Sequence, residues 1–145
     1  MQKIGLDYDS LKIGQDLGTS INYVSKASIA DYATATEDHD PIYFDLEDAQ
    51  MAGYENIVAP AGFHLQYTPM KWATGQSGYL PQGAVHVRQQ YSLFGPVYVG
   101  DWLTTTVSVA EKYQKKGRNH VVYRLHITNQ HGNAVCLANL TVWLP

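Results

Sequence analysis

Five ionisable or polar groups fall within seven residues of this chain: Glu37, Asp38, His39, Asp40 and Tyr43. Pro41 holds Asp40 in extended backbone and fixes its own φ, so the run has a defined shape. Carboxylates on a rigid loop beside apolar walls are suited to proton transfer, because burial and neighbouring charge tune their proton affinity. The same residues also serve as turn and helix-end groups. An Asp before Pro makes ordinary turns, and Asp45 reads as an N-cap.

The elements that must position this run are legible on either side of it. Gly5, Gly14 and Gly18 punctuate an irregular lead-in over 1–18, and Thr19–Val24 reads as a short strand. Ser25 caps a helix to about Thr36, with Ile29, Tyr32, Ala33 and Thr36 at helical spacing. A second short helix starts after Asp45, with Glu47 and Asp48 in its first turn, and Gly53 ends it. Pro60-Ala61-Gly62 leads into a third helix, Phe63 to about Trp72, which Pro69 shortens or bends. A loop follows over 75–83. The second half alternates with period two over 85–93, 103–109, 119–129 and 134–144. Such alternation marks half-buried antiparallel strands. Lys116-Gly117 and His131-Gly132-Asn133 supply turns. The pattern predicts an α+β fold with a helix laid on a curved sheet.

The 145 residues suffice for one domain with a real core, expected over 1–145. A net charge of −3 gives no electrostatic reason to expect nucleic acid. No apolar run approaches the ~18–20 residues of a membrane helix, and the first residues lack the apolar stretch of a signal peptide. Cys136 is the only cysteine, which excludes an internal disulfide and fits a cytoplasmic protein. No His/Cys cluster points to a metal, and no cofactor is expected.

The run Glu37-Asp38-His39-Asp40-Pro41-Ile42-Tyr43 resembles the signature G-D-x-N-P-(I/L)-H of the MaoC-like hydratases and dehydratases. Pro60-Ala61-Gly62 follows where the family has its P-x-G segment. Pro96-Val97-Tyr98-Val99-Gly100-Asp101-Trp102-Leu103 is similar to the second landmark, P-(V/L)-x-x-G-D-x-L. The resemblance runs from about residue 10 to the C-terminus. It implies the hot-dog fold, an antiparallel curved sheet wrapped around a long central helix, with dimers made by joining sheets. It implies hydration of enoyl thioesters, or dehydration of 3-hydroxyacyl thioesters, carried by CoA or acyl carrier protein, as in fatty acid metabolism. In the family, the Asp and His of the signature hold one water between them. The thioester carbonyl sits at the start of the central helix, where backbone N–H groups stabilise enolate charge.

Carried onto this chain, Asp38 takes the role of the family's Asp, and Tyr43 stands in place of its His. Asp40, Ala61, Gly62, Phe63 and His64 are expected to face the substrate. Asp40 replaces Asn, and Glu37 replaces Gly. A phenol, with a reference pKa of ~10, donates a hydrogen bond but is a poor base near neutrality. His39, His64 and His86 are alternative sources of an imidazole. The phrases Asp40-Pro-Ile-Tyr-Phe-Asp45 and Asn56-Ile-Val-Ala-Pro60 resemble a His-lacking subgroup: the N-terminal halves or small subunits of two-part MaoC dehydratases. That resemblance implies a second reading, a non-catalytic acyl-binding subunit dimerised with a complete MaoC-like chain. A hot-dog thioesterase is a third. Phe63, Met70 and Trp72 read as core residues or the lining of an acyl tunnel. Lys112, Lys115, Lys116 and Arg118 read as a solvated basic turn or a CoA phosphate contact, and Asp101 as a strand-entry turn.

Overall fold

The computed structural model describes residues 6–67 and 81–145. Its frame is one five-stranded antiparallel sheet. The strands are β1 (Asp16–Tyr23), β2 (Val85–Leu93), β3 (Trp102–Lys115), β4 (Arg118–Thr128) and β5 (Ala134–Leu144), in the spatial order β1-β3-β4-β5-β2. Between β1 and β2 lie helix α1 (Lys26–Ala35), a 3-10 turn (Pro41–Tyr43), helix α2 (Leu46–Met51) and a second 3-10 turn (Phe63–Tyr67). This is the expected α+β architecture. Among the described residues, no helix is long and apolar enough to cross a membrane.

The central strands fold where alternation is cleanest. Leu103, Val107 and Val109 of β3, and Val121, Tyr123, Leu125 and Ile127 of β4, are all at most 1% exposed. They share one core with Leu17, Ile29, Phe63, Cys136 and Ala138. Period two puts them on one face, and burying that face drives the sheet onto the helical segments. Cys136 is sealed in this core, and burial pushes its thiol up to about 11. Helix α1 begins at the expected cap, where the Ser25 hydroxyl accepts from the Ser28 N–H at 3.1 Å. Of its expected inner face, Ile29 and Ala33 are fully buried and Tyr32 half-buried, whereas Thr36 is exposed and turns its hydroxyl back to the Tyr32 carbonyl at 3.0 Å.

Several sequence expectations need correction. β1 starts at Asp16, three residues inside the expected lead-in, with a register shift between Asp16 and Gly18. β3 extends to Lys115, beyond the expected 103–109, because a bulge between Val109 and Glu111 ends the alternation while pairing continues to Lys115↔Arg118. β2 is not half-buried: all nine of its residues are exposed. It forms a sheet edge, and a register shift between His86 and Arg88 breaks its period-two pattern. His120, which alternates with the apolar positions of β4, is only 8% exposed. It stacks on Tyr113 at 4.8 Å and accepts from the Trp143 indole at 2.7 Å. The third helix begins as the five-residue 3-10 turn Phe63–Tyr67, and the rest of that expected helix, with Pro69, Met70 and Trp72, lies outside the described residues, as does most of the 75–83 loop.

Truncation at the middle of the sheet tests this core. Leu125→Ala is expected to lower unfolding free energy by ~2–5 kcal/mol through lost burial and a residual cavity, measured by denaturant titration.

Candidate active site

The Glu37–Tyr43 run is a tightly bonded corner. The Asp38 N–H donates to the Ala33 carbonyl at 2.8 Å, closing the end of α1. The chain reverses at Glu37, whose φ of 56° is left-handed backbone that a side chain disfavours. The Asp38 carboxylate then accepts from the Asp40 N–H at 3.4 Å, and Asp40 accepts from the Ile42 N–H at 3.2 Å. Asp40 thereby caps the turn that carries Tyr43, with Pro41 in its first position. Asp45 repeats the device for α2, accepting from the Asp48 N–H at 3.2 Å.

A second strip of chain completes the walls. The Ala59 N–H donates to the Val97 carbonyl at 2.8 Å, and the Val99 N–H to the Ile57 carbonyl at 3.0 Å. Residues 57–59 are thus tied antiparallel to 97–99. The Val58 N–H reaches the Ile42 carbonyl at 3.4 Å, joining this strip to the motif corner. Between them lies a cavity of about 410 Å³, with Tyr43, Tyr54, Ala61, His64, Leu93 and Val97 among its walls. A larger cavity of about 580 Å³ lies against Asn56, Tyr98, Asp101 and Gln130 and touches none of residues 37–43. Its polar groups are occupied with one another: Asp101 accepts from the Tyr98 N–H and the Gln130 amide, both at 2.9 Å.

Two groups of the smaller cavity have displaced proton affinities. Partial burial pushes the Tyr43 phenol above its ordinary value, and the adjoining Asp38 carboxylate pushes it further, with a lesser push from Asp40. Tyr43 therefore stays protonated and acts as a donor at neutral pH. His64 is 3% exposed, and neither ring nitrogen has a hydrogen-bond partner. Burial lowers its pKa to about 4, so it is an uncharged imidazole at neutral pH.

The residues singled out from sequence are distributed unevenly about this site. Tyr43, Ala61 and His64 line the cavity, and half-buried Asp38 adjoins Tyr43. Asp40 is exposed and engaged as a cap. Phe63 is fully buried, packs edge-on against Tyr32 and Tyr67, and commits its N–H to the Pro60 carbonyl at 3.1 Å. Gly62 (φ +86°) does not line the cavity; a Cβ there would lie 3.7 Å from the Tyr32 and Tyr91 hydroxyls. His39 and His86 are exposed and away from the cavity walls, and His86 contacts the Arg88 carbonyl at 3.1 Å. The basic hairpin is also occupied. Lys112 donates to the Leu11 carbonyl at 2.8 Å and lies over the Tyr8 ring, and Arg118 lies over Trp143. Among the described residues, no group of three His, Cys, Asp or Glu could hold a metal ion. Tyr54 and Leu93 escaped the sequence reading as site residues: apolar and aromatic residues carry no chemical signature until a cavity gives them one.

Comparison with known proteins gives this geometry its context. The chain matches the family described as FAS1-like, dehydratase domain region, over residues 12–138. It is 30% identical over 140 residues to a UPF0336 protein of Saccharopolyspora erythraea, covering 92% of this chain and 89% of that one. It is 29% identical over 136 residues to the mitochondrial 3-hydroxyacyl-(acyl-carrier-protein) dehydratase of Arabidopsis thaliana, covering 93% of this chain and 78% of the relative. Among solved structures, it superimposes on the C-terminally truncated HadBC (3R-hydroxyacyl-ACP dehydratase) complex from Mycobacterium tuberculosis. The TM-score is 0.73 at 25% identity, covering 90% of this chain and 99% of that chain. The chain belongs to the FAS1-like dehydratase family, and its fold is the hot-dog fold of the MaoC-like hydratases and dehydratases.

Two outcomes follow from these local geometries. Glu37→Gly is expected to stabilise the fold by up to ~1 kcal/mol, because glycine adopts left-handed backbone without steric penalty; thermal melting reads this directly. The lowered His64 pKa means that the unfolded chain binds more protons than the folded one between about pH 6.5 and about pH 4. The stability it contributes is complete above that window and lost as pH falls through it. Going from about pH 7 to about pH 5 is expected to cost ~2 kcal/mol in urea unfolding, a loss that His64→Leu removes.

Proposed function

We propose that this chain is a hydratase/dehydratase of enoyl and 3-hydroxyacyl thioesters carried on CoA or acyl carrier protein. The observation that carries this reading is Asp38 adjoining a protonated Tyr43 on the wall of the 410 Å³ cavity. In dehydration, Asp38 takes the C2 proton and returns it to the C3 oxygen as the C3–O bond breaks. Water leaves, C2 and C3 become doubly bonded, and the carboxylate is regenerated. Tyr43 holds that oxygen by a hydrogen bond throughout. Hydration is the same path reversed. A base and a donor next to one another are the two groups this reaction demands. The exposed edge strand β2, with Val85, Val87, Tyr91 and Leu93 each 39–45% exposed, supports a dimer made by sheet joining, with a second copy or a related chain.

One observation favours a second reading, the non-catalytic subunit of a two-chain dehydratase. Tyr43 occupies the position of the family's imidazole, and its raised pKa keeps the phenol protonated, so it takes up no proton at neutral pH. The HadBC neighbour is itself described as a complex. In that reading this chain shapes the acyl site and a partner supplies the complete Asp and His.

Purified alone, the chain is expected to hydrate crotonyl-CoA, followed by loss of enoyl thioester absorbance. Asp38→Asn is expected to reduce the rate by at least about a hundred-fold, the usual scale of general acid–base catalysis. Turnover that survives Asp38→Asn would remove Asp38 from the mechanism. A folded chain that is silent alone, yet active with a chain carrying Asp and His, would select the subunit reading.

A further inference from the structure

Among the described residues, His64 is the one buried histidine on the cavity wall, and no hydrogen bond there accounts for its burial. It is 3% exposed, and both ring nitrogens are without partners. Its neighbours around the cavity include Val58, Ala59, Leu93 and Val97, which offer no hydrogen bond from their side chains. Folded proteins seldom leave a buried polar group unsatisfied, because its lost hydrogen bonds to water go uncompensated. An imidazole kept in that state beside an open cavity is poised for a group that arrives with a ligand.

The proposed chemistry needs such a donor. When C2 loses its proton, negative charge moves onto the thioester carbonyl oxygen, and a donor must meet it there. At the expected helix N-terminus, the Phe63 N–H is already given to the Pro60 carbonyl. Tyr43 has a single O–H, and in the proposed step that O–H is given to the C3 oxygen. His64 carries no charge at neutral pH, offers one N–H, and lies on the same cavity as Ala61.

We propose that His64 donates a hydrogen bond to the thioester carbonyl oxygen of the bound acyl group. The inference rests on the thioester reading above and adds to it the residue that recognises the carbonyl. Asp38 and Tyr43 then serve C2 and C3, while His64 serves C1.

The test compares two unreactive ligands on the full chain by isothermal titration: butyryl-CoA, and S-butyl-CoA, the thioether that lacks the carbonyl oxygen. The native chain is expected to prefer the thioester by about ten-fold, the scale of one hydrogen bond. His64→Leu is expected to erase the preference, and His64→Gln, which keeps an N–H donor, to retain part of it. On the native chain, butyryl-CoA is expected to shift the His64 ring N–H resonance and S-butyl-CoA to leave it in place. This readout needs no variant to fold. Equal binding of the two ligands, or an unmoved His64 resonance with butyryl-CoA bound, overturns the assignment and leaves the thioester reading intact. A native chain that binds neither ligand overturns both.

Discussion

The antiparallel tie between residues 57–59 and 97–99 is the constraint on which the candidate site depends. Two backbone hydrogen bonds, Ala59 to Val97 and Val99 to Ile57, hold one strip against the other. Without them Pro60, Ala61 and His64 would be a free loop, and Pro96 and Val97 a connection between strands. With them, both strips become opposing walls, and the Val58 contact to Ile42 brings the motif corner up as the third. The tie is cheap in residues because backbone groups make it, so its side chains remain free to shape the cavity. Ile57, Val58 and Val97 at 3–5% exposure show that the tie is also packed, which keeps water from competing for its hydrogen bonds.

The sheet supplies the rigidity behind that tie. β3, β4 and β5 are each flanked on both sides, and the inward residues of β3 and β4 are almost wholly excluded from solvent. The polar positions are concentrated where the chain leaves this frame. The motif corner is built from short side chains that bond their own backbone: Asp38 to residue 40, Asp40 to residue 42, Asp45 to residue 48. Such self-bonded corners hold a carboxylate in place through its own stretch of backbone. The cost is local strain at Glu37, where glycine would be more comfortable.

The site departs from the family signature in a coherent way. Replacing an imidazole with a phenol removes a base and leaves a donor, and the carboxylate beside it makes that phenol still harder to ionise. Proton abstraction then falls on one carboxylate. An imidazole reappears twenty-one residues later in sequence, at His64, on the wall of the same cavity. Its environment differs from that of a motif histidine. The ring is buried, which holds it neutral and suits it to donating a hydrogen bond rather than carrying a proton.

Local signals in the sequence determined a good deal. Period-two alternation located four of the five strands, because each inward side chain must be apolar whatever its neighbours are. Ser25 and Asp45 announced the starts of α1 and α2, since capping is a contact within three residues. The signature run pointed to Asp38 and Tyr43 by residue type and order. What depends on contacts between distant segments was hidden. Bulges moved the real length of β3 and the faces of β2, and no residue type marks a bulge uniquely. The sealing of His64 follows from what the tertiary fold lays against it. A titratable side chain has one identity in sequence, but its charge and its partners are properties of its surroundings, and those the folded chain alone decides.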